Sequence, residues 1–293
     1  MKKSRIGLSR RFVKTSIAAV LFLSASLTSL SAQVPVEVWA QTEGGALKLL
    51  NHTYRVGTVA DGNDTFDFIK QGGQEILSFF DRYTLGATIA DKHEVSFLYQ
   101  PLELVTDVKF KTAVKIDNVT FAAGTPMQLT YSFPFYRTTY RYRFLGDSRS
   151  NLSGGLAIQL RNASIRFEEK SGANGQLVVS QNLGIVPALS VGGRLGLGKA
   201  GFLAFEATGS YASSAFFNGA DFQFEGSILD ASVRGGIALD ERSEIFLNGR
   251  FFGGSASGTS QYPDLYWTEA ASNTTENIIA ALSLTAGATL QLR

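Results

Sequence analysis

From Tyr136 to Phe144 the chain alternates without a break. Tyr136, Thr138, Tyr140, Tyr142 and Phe144 fall on one side, and Arg137, Thr139, Arg141 and Arg143 on the other. Successive side chains of a strand point to opposite faces, so one face is aromatic and the other cationic. A soluble sandwich and a membrane barrel both accept one such strand, and recurrence along the chain decides between them. The same period predicts ten strands, at 45–56, 76–90, 93–102, 127–145, 151–168, 177–197, 201–213, 222–240, 243–255 and 277–292. The even-numbered of these end in short links: Ala90-Asp91-Lys92, Gly146 to Ser150, Gly198-Lys199-Ala200 and Glu241-Arg242. The odd-numbered end in longer ones, at 57–75, 103–126, 169–176, 214–221 and 256–276. Short turns at one end, long loops at the other and an even strand count are the plan of an outer-membrane barrel. The fold class read here is all-β, a transmembrane antiparallel up-and-down β-barrel of about ten strands, with long loops outside and both termini in the periplasm.

The predicted lipid-facing sides are apolar. The last strand turns Ala280, Leu282, Leu284, Ala286, Ala288, Leu290 and Leu292 outward, and Ser283, Thr285, Gly287 and Thr289 inward. The strand at 201–213 turns Leu203, Phe205 and Tyr211 outward against Glu206 and Thr208. The strand at 222–240 turns Leu229, Val233, Ile237 and Leu239 outward against Asp230 and Arg234. Small inward residues leave room for long charged ones to cross a narrow lumen. On hydropathy the strand at 127–145 changes parity near Pro134: Leu129, Tyr131, Phe133 and Phe135 form the apolar set upstream, and Tyr136, Tyr140 and Tyr142 downstream. A one-residue bulge at Pro134 is expected to reconcile the two, and a similar one near Arg161 to join Leu156, Ile158 and Leu160 to Ala163, Ile165 and Phe167.

Composition supports export. The first 32 residues hold six basic residues and no acidic one, then the apolar run Ile17 to Leu23 and small residues to Ala32, the pattern of a signal peptide. Cleavage after Ala32 and after Ala40 both fit. Ser9-Arg10-Arg11-Phe12 is one position off a twin-arginine signal. The expected organisation is a signal at 1–32 (alternative end 40), a short segment at 33–43 and a barrel at 44–293. Removing the leader leaves 21 basic residues against 25 acidic ones, so the mature chain is near −4 rather than +2. No basic patch for nucleic acid remains. The absence of Cys excludes disulfides, thiol catalysis and cysteine metal sites. Gly is abundant at 30 and Pro scarce at 6. No run is long enough for a spanning helix, which needs about 20 apolar residues. Without one, a spanning chain must close into a barrel, because lipid offers backbone groups no partner.

Five segments occur in one order: His93-Glu94-Val95-Ser96-Phe97-Leu98-Tyr99-Gln100-Pro101-Leu102, Phe121-Ala122-Ala123-Gly124-Thr125-Pro126, Tyr136-Arg137-Thr138-Thr139-Tyr140-Arg141-Tyr142, Val186-Pro187-Ala188-Leu189 and Gly249-Arg250-Phe251-Phe252-Gly253-Gly254. Over roughly 44–255 the chain resembles a family of small Gram-negative outer-membrane β-barrel proteins. The resemblance implies this fold and a bacterial outer-membrane location, and brings no established activity with it. It also implies contact with outer-membrane lipid, lipopolysaccharide included, and with the barrel assembly machinery. The chain ends in Leu292-Arg293, where such barrels commonly end in an aromatic residue.

The most suggestive chemistry is the inward Arg set, Arg82, Arg137, Arg141, Arg143, Arg194, Arg234 and Arg250, with the inward acids Glu206 and Asp230. Buried charges must be paired, and Arg bonds several acceptors at once, so an ion-pair network closing the lumen is one reading. An anion path or lipid-phosphate site is the other. Of the two histidines, His93 falls at a periplasmic turn and His52 near the outer end of the first strand. Ten-stranded outer-membrane proteases use an Asp-x-His pair with a second pair of Asp. Here Leu50 stands two before His52, and Asp91-His93 has that spacing on the wrong side. Two lone histidines do not make a metal site. Gly253 to Ser260 mimics a phosphate loop but lacks its Lys. Tyr262, Tyr266 and Trp267 in the last long loop are candidate surface contacts, and 103–126 is expected to fold as a hairpin over the mouth. The sequence reading is a barrel with a largely occluded lumen and loops that serve a structural or surface-binding role. A narrow channel for small anions is its alternative and a lipid-directed hydrolase a third reading. No catalytic group, cofactor or metal ligand is expected.

Overall fold

The computed structural model describes residues 34–57, 62–170, 175–213, 224–259 and 274–292. Its strands are β1 (Val36–Val56), β2 (Phe66–Asp67), β3 (Ser78–Ile89), β4 (His93–Gln100), β5 (Glu103–Lys109), β6 (Val114–Ile116), β7 (Val119–Phe121), β8 (Pro126–Ser132), β9 (Phe135–Gly146), β10 (Asn151–Glu169), β11 (Leu177–Leu197), β12 (Gly201–Ser213), β13 (Phe224–Ala238), β14 (Ser243–Thr259) and β15 (Thr274–Gln291). Ten of them close into a ring, β1-β3-β4-β9-β10-β11-β12-β13-β14-β15 and back to β1, with antiparallel neighbours throughout. Closure leaves no free edge around the wall. Among the described residues no helix is long and apolar enough to cross a membrane.

The outward face is the apolar one. Leu284, Val233, Leu189, Ile158 and Leu247 are each at least 60% exposed, and Tyr136, Tyr140, Tyr142 and Phe144 join them. A belt of this size is far beyond what a water-soluble monomer exposes, and it suits a wall bathed in lipid. At the short-link end the turns are tight. Ala90 and Asp91 both take positive φ, 53° and 56°, the conformation that a two-residue hairpin demands.

The first strand begins at Val36, so residues 36–44 belong to the wall rather than to a segment before it. The expected bulge at Pro134 is absent. Ser132 pairs with Ser164 above the proline and Phe135 with Arg161 below it, in one unbroken register. The registers of β4 with β9 and of β5 with β8 are likewise continuous, which sets Pro101 opposite Pro134. Each proline lacks a donor, so both strands are interrupted at one level, and the Phe133 N–H donates across the gap to Leu102 O at 2.6 Å. Parity never changes: Met127, Leu129, Tyr131, Phe133, Phe135 and Arg137 all point inward and are buried. No bulge marks β10 near Arg161 either, since Ala157, Gln159, Ala163, Ile165 and Phe167 share one buried face. What changes at Pro134 is the content of the lumen, from charge below to aromatic rings above.

The parity switch lies in β1 instead. Against β15 the register slips between Leu49 and Asn51, leaving Leu50 unpaired and 53% exposed. Leu47 and Leu49 point inward before the slip, and His52, Tyr54 and Val56 after it. The link at 103–126 holds β5 and the small β6–β7 hairpin, and β5 pairs with β8. Tyr262, Tyr266 and Trp267, the whole proposed signal segment and most of the links 214–221 and 256–276 lie outside the described residues.

Candidate functional site

The lumen is filled in layers. Toward the long loops, an aromatic layer gathers Tyr54, Phe66, Phe68, Phe110, Phe121, Tyr131, Phe133, Phe135, Phe167 and Phe252, none more than 7% exposed. Phe135 stacks on Phe252 with ring centres 5.8 Å apart, and Phe66 meets Phe167 edge to face at 5.0 Å. The long links deliver Phe66, Phe68, Phe110 and Phe121, so the links fold into the barrel mouth.

Beneath it lies an ionic layer. Asp230 is shared by three guanidinium groups: Oδ1 accepts from Arg250 at 2.6 Å, and Oδ2 from Arg82 and Arg137 at 2.8 Å each. Glu43 accepts from Arg250 at 3.0 Å, Asn248 at 2.7 Å and Thr285 at 2.8 Å. Glu206 accepts from Arg250 at 3.1 Å and Arg82 at 3.4 Å, and stands 3.8 Å from Arg141. Arg141 reaches Glu94 through its Nε at 3.1 Å. Gly192 makes room for it: a Cβ there would lie 2.7 Å from the Arg141 guanidinium. Asp230, Glu43, Arg250, Arg82 and Arg137 have side chains no more than 5% exposed. Pairs so buried repay their lost hydration only when each lone pair and N–H is used, which a branched network does better than isolated bridges.

Toward the short turns, cations meet rings. Arg194 pairs with Glu244 at 2.6 Å and lies 3.8 Å above the Phe202 ring. Arg234 donates to the neutral Gln41 at 2.6 Å and lies 5.2 Å above Phe246. Arg143 is at the rim, donating to Asp91 O at 2.6 Å. Of the seven Arg read as inward, Arg82, Arg137, Arg141 and Arg250 thus meet in one cluster. Arg234 flanks it, and Arg194 and Arg143 lie apart with partners of their own. Two carboxylates of the network escaped the sequence reading. Glu43 was placed ahead of the first strand, and carrying the β1 alternation down to Val36 would have found it. Glu94 follows His93 at a turn, but its parity on β4 matches Ser96 and Leu98, both buried.

His52 is buried in the aromatic layer. Its Nδ1 is 2.7 Å from Gln74 Oε1, its ring stacks on Phe68 at 4.3 Å, and Tyr131 meets it edge-on at 4.3 Å. His93 is 2.9 Å from the Tyr140 hydroxyl at the short-turn end. Among the described residues neither hydrogen-bonds a Ser or Thr hydroxyl. Among the described residues no cluster of three or more His, Cys, Asp or Glu could hold a metal. Outside the wall, the turn carboxylates are held ionised: backbone N–H groups of Ser150 and Arg149 draw Asp147 below its ordinary pKa, and that of Arg242 does the same for Asp240.

Among solved structures the barrel is similar to the outer membrane protease OmpT from Escherichia coli, with a TM-score of 0.53 and 9% identity over 87% of this chain and 97% of that one. The chain has the fold of an outer-membrane β-barrel protein. Similarity at lower TM-scores extends to the transport unit of the autotransporter AIDA-I from Escherichia coli (0.39, 9% identity, covering 94% and 97%) and to a Pseudomonas aeruginosa FadL homologue (0.34, 8%, covering 88% and 90%). No family model and no curated protein matches the chain. At these identities the likeness is one of fold, and the side chains of the lumen must speak for the rest.

Proposed function

We propose that this protein resides in a bacterial outer membrane as a sealed barrel, and that it acts through its outer surface rather than as an open pore. The observation that carries this reading is the double filling of the lumen, an aromatic layer above an ionic one, each spanning from wall to wall. Barrels near this strand number leave space that side chains can fill. In this reading the Arg–carboxylate network locks opposite walls together, and the folded long links present a surface outside. Tyr262, Tyr266 and Trp267 are the aromatic groups we assign to contact with a surface partner. The leader directs export, and lipid, lipopolysaccharide and the assembly machinery are the remaining partners. The arrangement around His52 supports a non-catalytic role, because an imidazole wedged between Phe68 and Tyr131 has no room for a substrate carbonyl. The test is reconstitution of the purified mature chain in a planar bilayer. Sealed bilayers with rare, unsteady openings are expected. Steady ohmic conductance of the unmodified chain would replace this reading with that of a narrow anion channel.

A further inference from the structure

At the boundary between the two lumen layers, three buried donors on neighbouring strands have no acceptor among the described residues. Gln159 on β10 stands directly opposite Arg137 on β9. Leu98 is the cross-strand partner of Arg137 on the other side, and Gln100 is the next residue of β4 along that same inward face. Gln100 and Gln159 are each 1% exposed and Arg137 is 5% exposed. Gln100 Nε2, Gln159 Nε2 and Arg137 Nε have no hydrogen-bond partner among the described residues. The Gln100 amide is oriented by Arg82, which donates to its Oε1 at 3.3 Å and so leaves the NH2 end turned away. Overhead, the cross-strand neighbour of Gln100 is Phe135, whose ring belongs to the aromatic layer.

Electrostatics favours a negative guest at this place. Among the described residues, Arg137 has one carboxylate partner, Asp230, which Arg82 and Arg250 also use. Arg82 and Arg250 have Glu43 and Glu206 besides. Arg137 is therefore the least compensated member of the cluster. With Arg234 beside it, the cluster holds five guanidinium groups against four carboxylates. A guanidinium that shares its one carboxylate and three unmade hydrogen bonds in a buried place are each costly, and one acceptor-only monovalent ion answers both.

We infer that the lumen binds one small monovalent anion of the halide class between Gln100, Arg137 and Gln159. The site is enclosed on the ionic layer's loop-facing side and is a structural anion site, independent of what the outer surface binds. The experiment is thermal unfolding of the mature chain in detergent, with chloride exchanged for gluconate at constant ionic strength. The unfolding temperature rises saturably with chloride, by about 2–4 °C. Gln159→Leu, which breaks no ion pair, retains the fold and loses the chloride dependence. Crystals of the unmodified chain grown in bromide show an anomalous peak between the three side chains, a readout that needs no variant. Superimposable chloride and gluconate curves, or a bromide map with no peak there, would overturn the site and assign the donors to water.

Discussion

At the scale of single residues, burial separates Arg side chains that look alike in sequence. Asp230 holds three guanidinium groups at 2.8 Å or less, and its replacement leaves Arg137 with no carboxylate partner among the described residues. Asp230→Ala should therefore destabilise the barrel by about 3–5 kcal/mol, the cost of leaving buried charge unpaired. Arg234→Ala should do much less, since Arg234 bonds a neutral amide and a ring. Electrophoretic mobility with and without heating reads both, and equal loss of heat resistance in the two variants would contradict the asymmetry. The turn carboxylate Asp147 offers a pH test. Its folded-state pKa is depressed by the Ser150 and Arg149 N–H groups, so it favours the folded turn above the ordinary carboxylate pKa. That contribution fades as pH falls through the depressed value. A carboxyl-carbon NMR titration of Asp147 should report a midpoint below that of an unstructured Asp, and an ordinary midpoint would remove the effect.

At the scale of elements, the β8–β9 line and β1 show opposite relations between hydropathy and face. In β8 and β9 a change from apolar to charged residues looked like a change of face. It is instead a change of depth, because Leu129 through Arg137 line one lumen whose upper part is greasy. In β1 the face really does change, at Leu50, a position that hydropathy does not mark because Leu49 and Leu50 are alike. Deleting Leu50 should carry the lower register upward and turn His52, Tyr54 and Val56 out of the aromatic layer, since a one-residue shift exchanges the two faces of a strand. The expected outcome is a barrel that still forms but whose mouth is cut by protease on intact cells, where the unmodified chain resists. Unchanged protease resistance would mean that the slip is not what places those side chains.

For the whole molecule, alternating link lengths and a closed wall set the two ends apart. Epitope tags within 57–75 and 103–126 should be reachable on intact cells, and a tag at Asp91, one of the two positive-φ turn residues, should not. Reversed labelling would invert the orientation in the membrane. The alternation of residues alone determined ten wall strands, their order and the lipid-facing sides of those with one polar face, because a strand in a bilayer has one apolar face whatever its neighbours are. It could not determine what fills the lumen. Glu43, Asp230, Arg82, Arg137 and Arg250 come from five different strands, and only the shear and closure of the ring bring their tips to one level. The aromatic layer was hidden for the same reason. An inward Phe and a lipid-facing Phe are identical in a one-dimensional pattern, and only the closed wall decides which of the two is sheltered from the membrane.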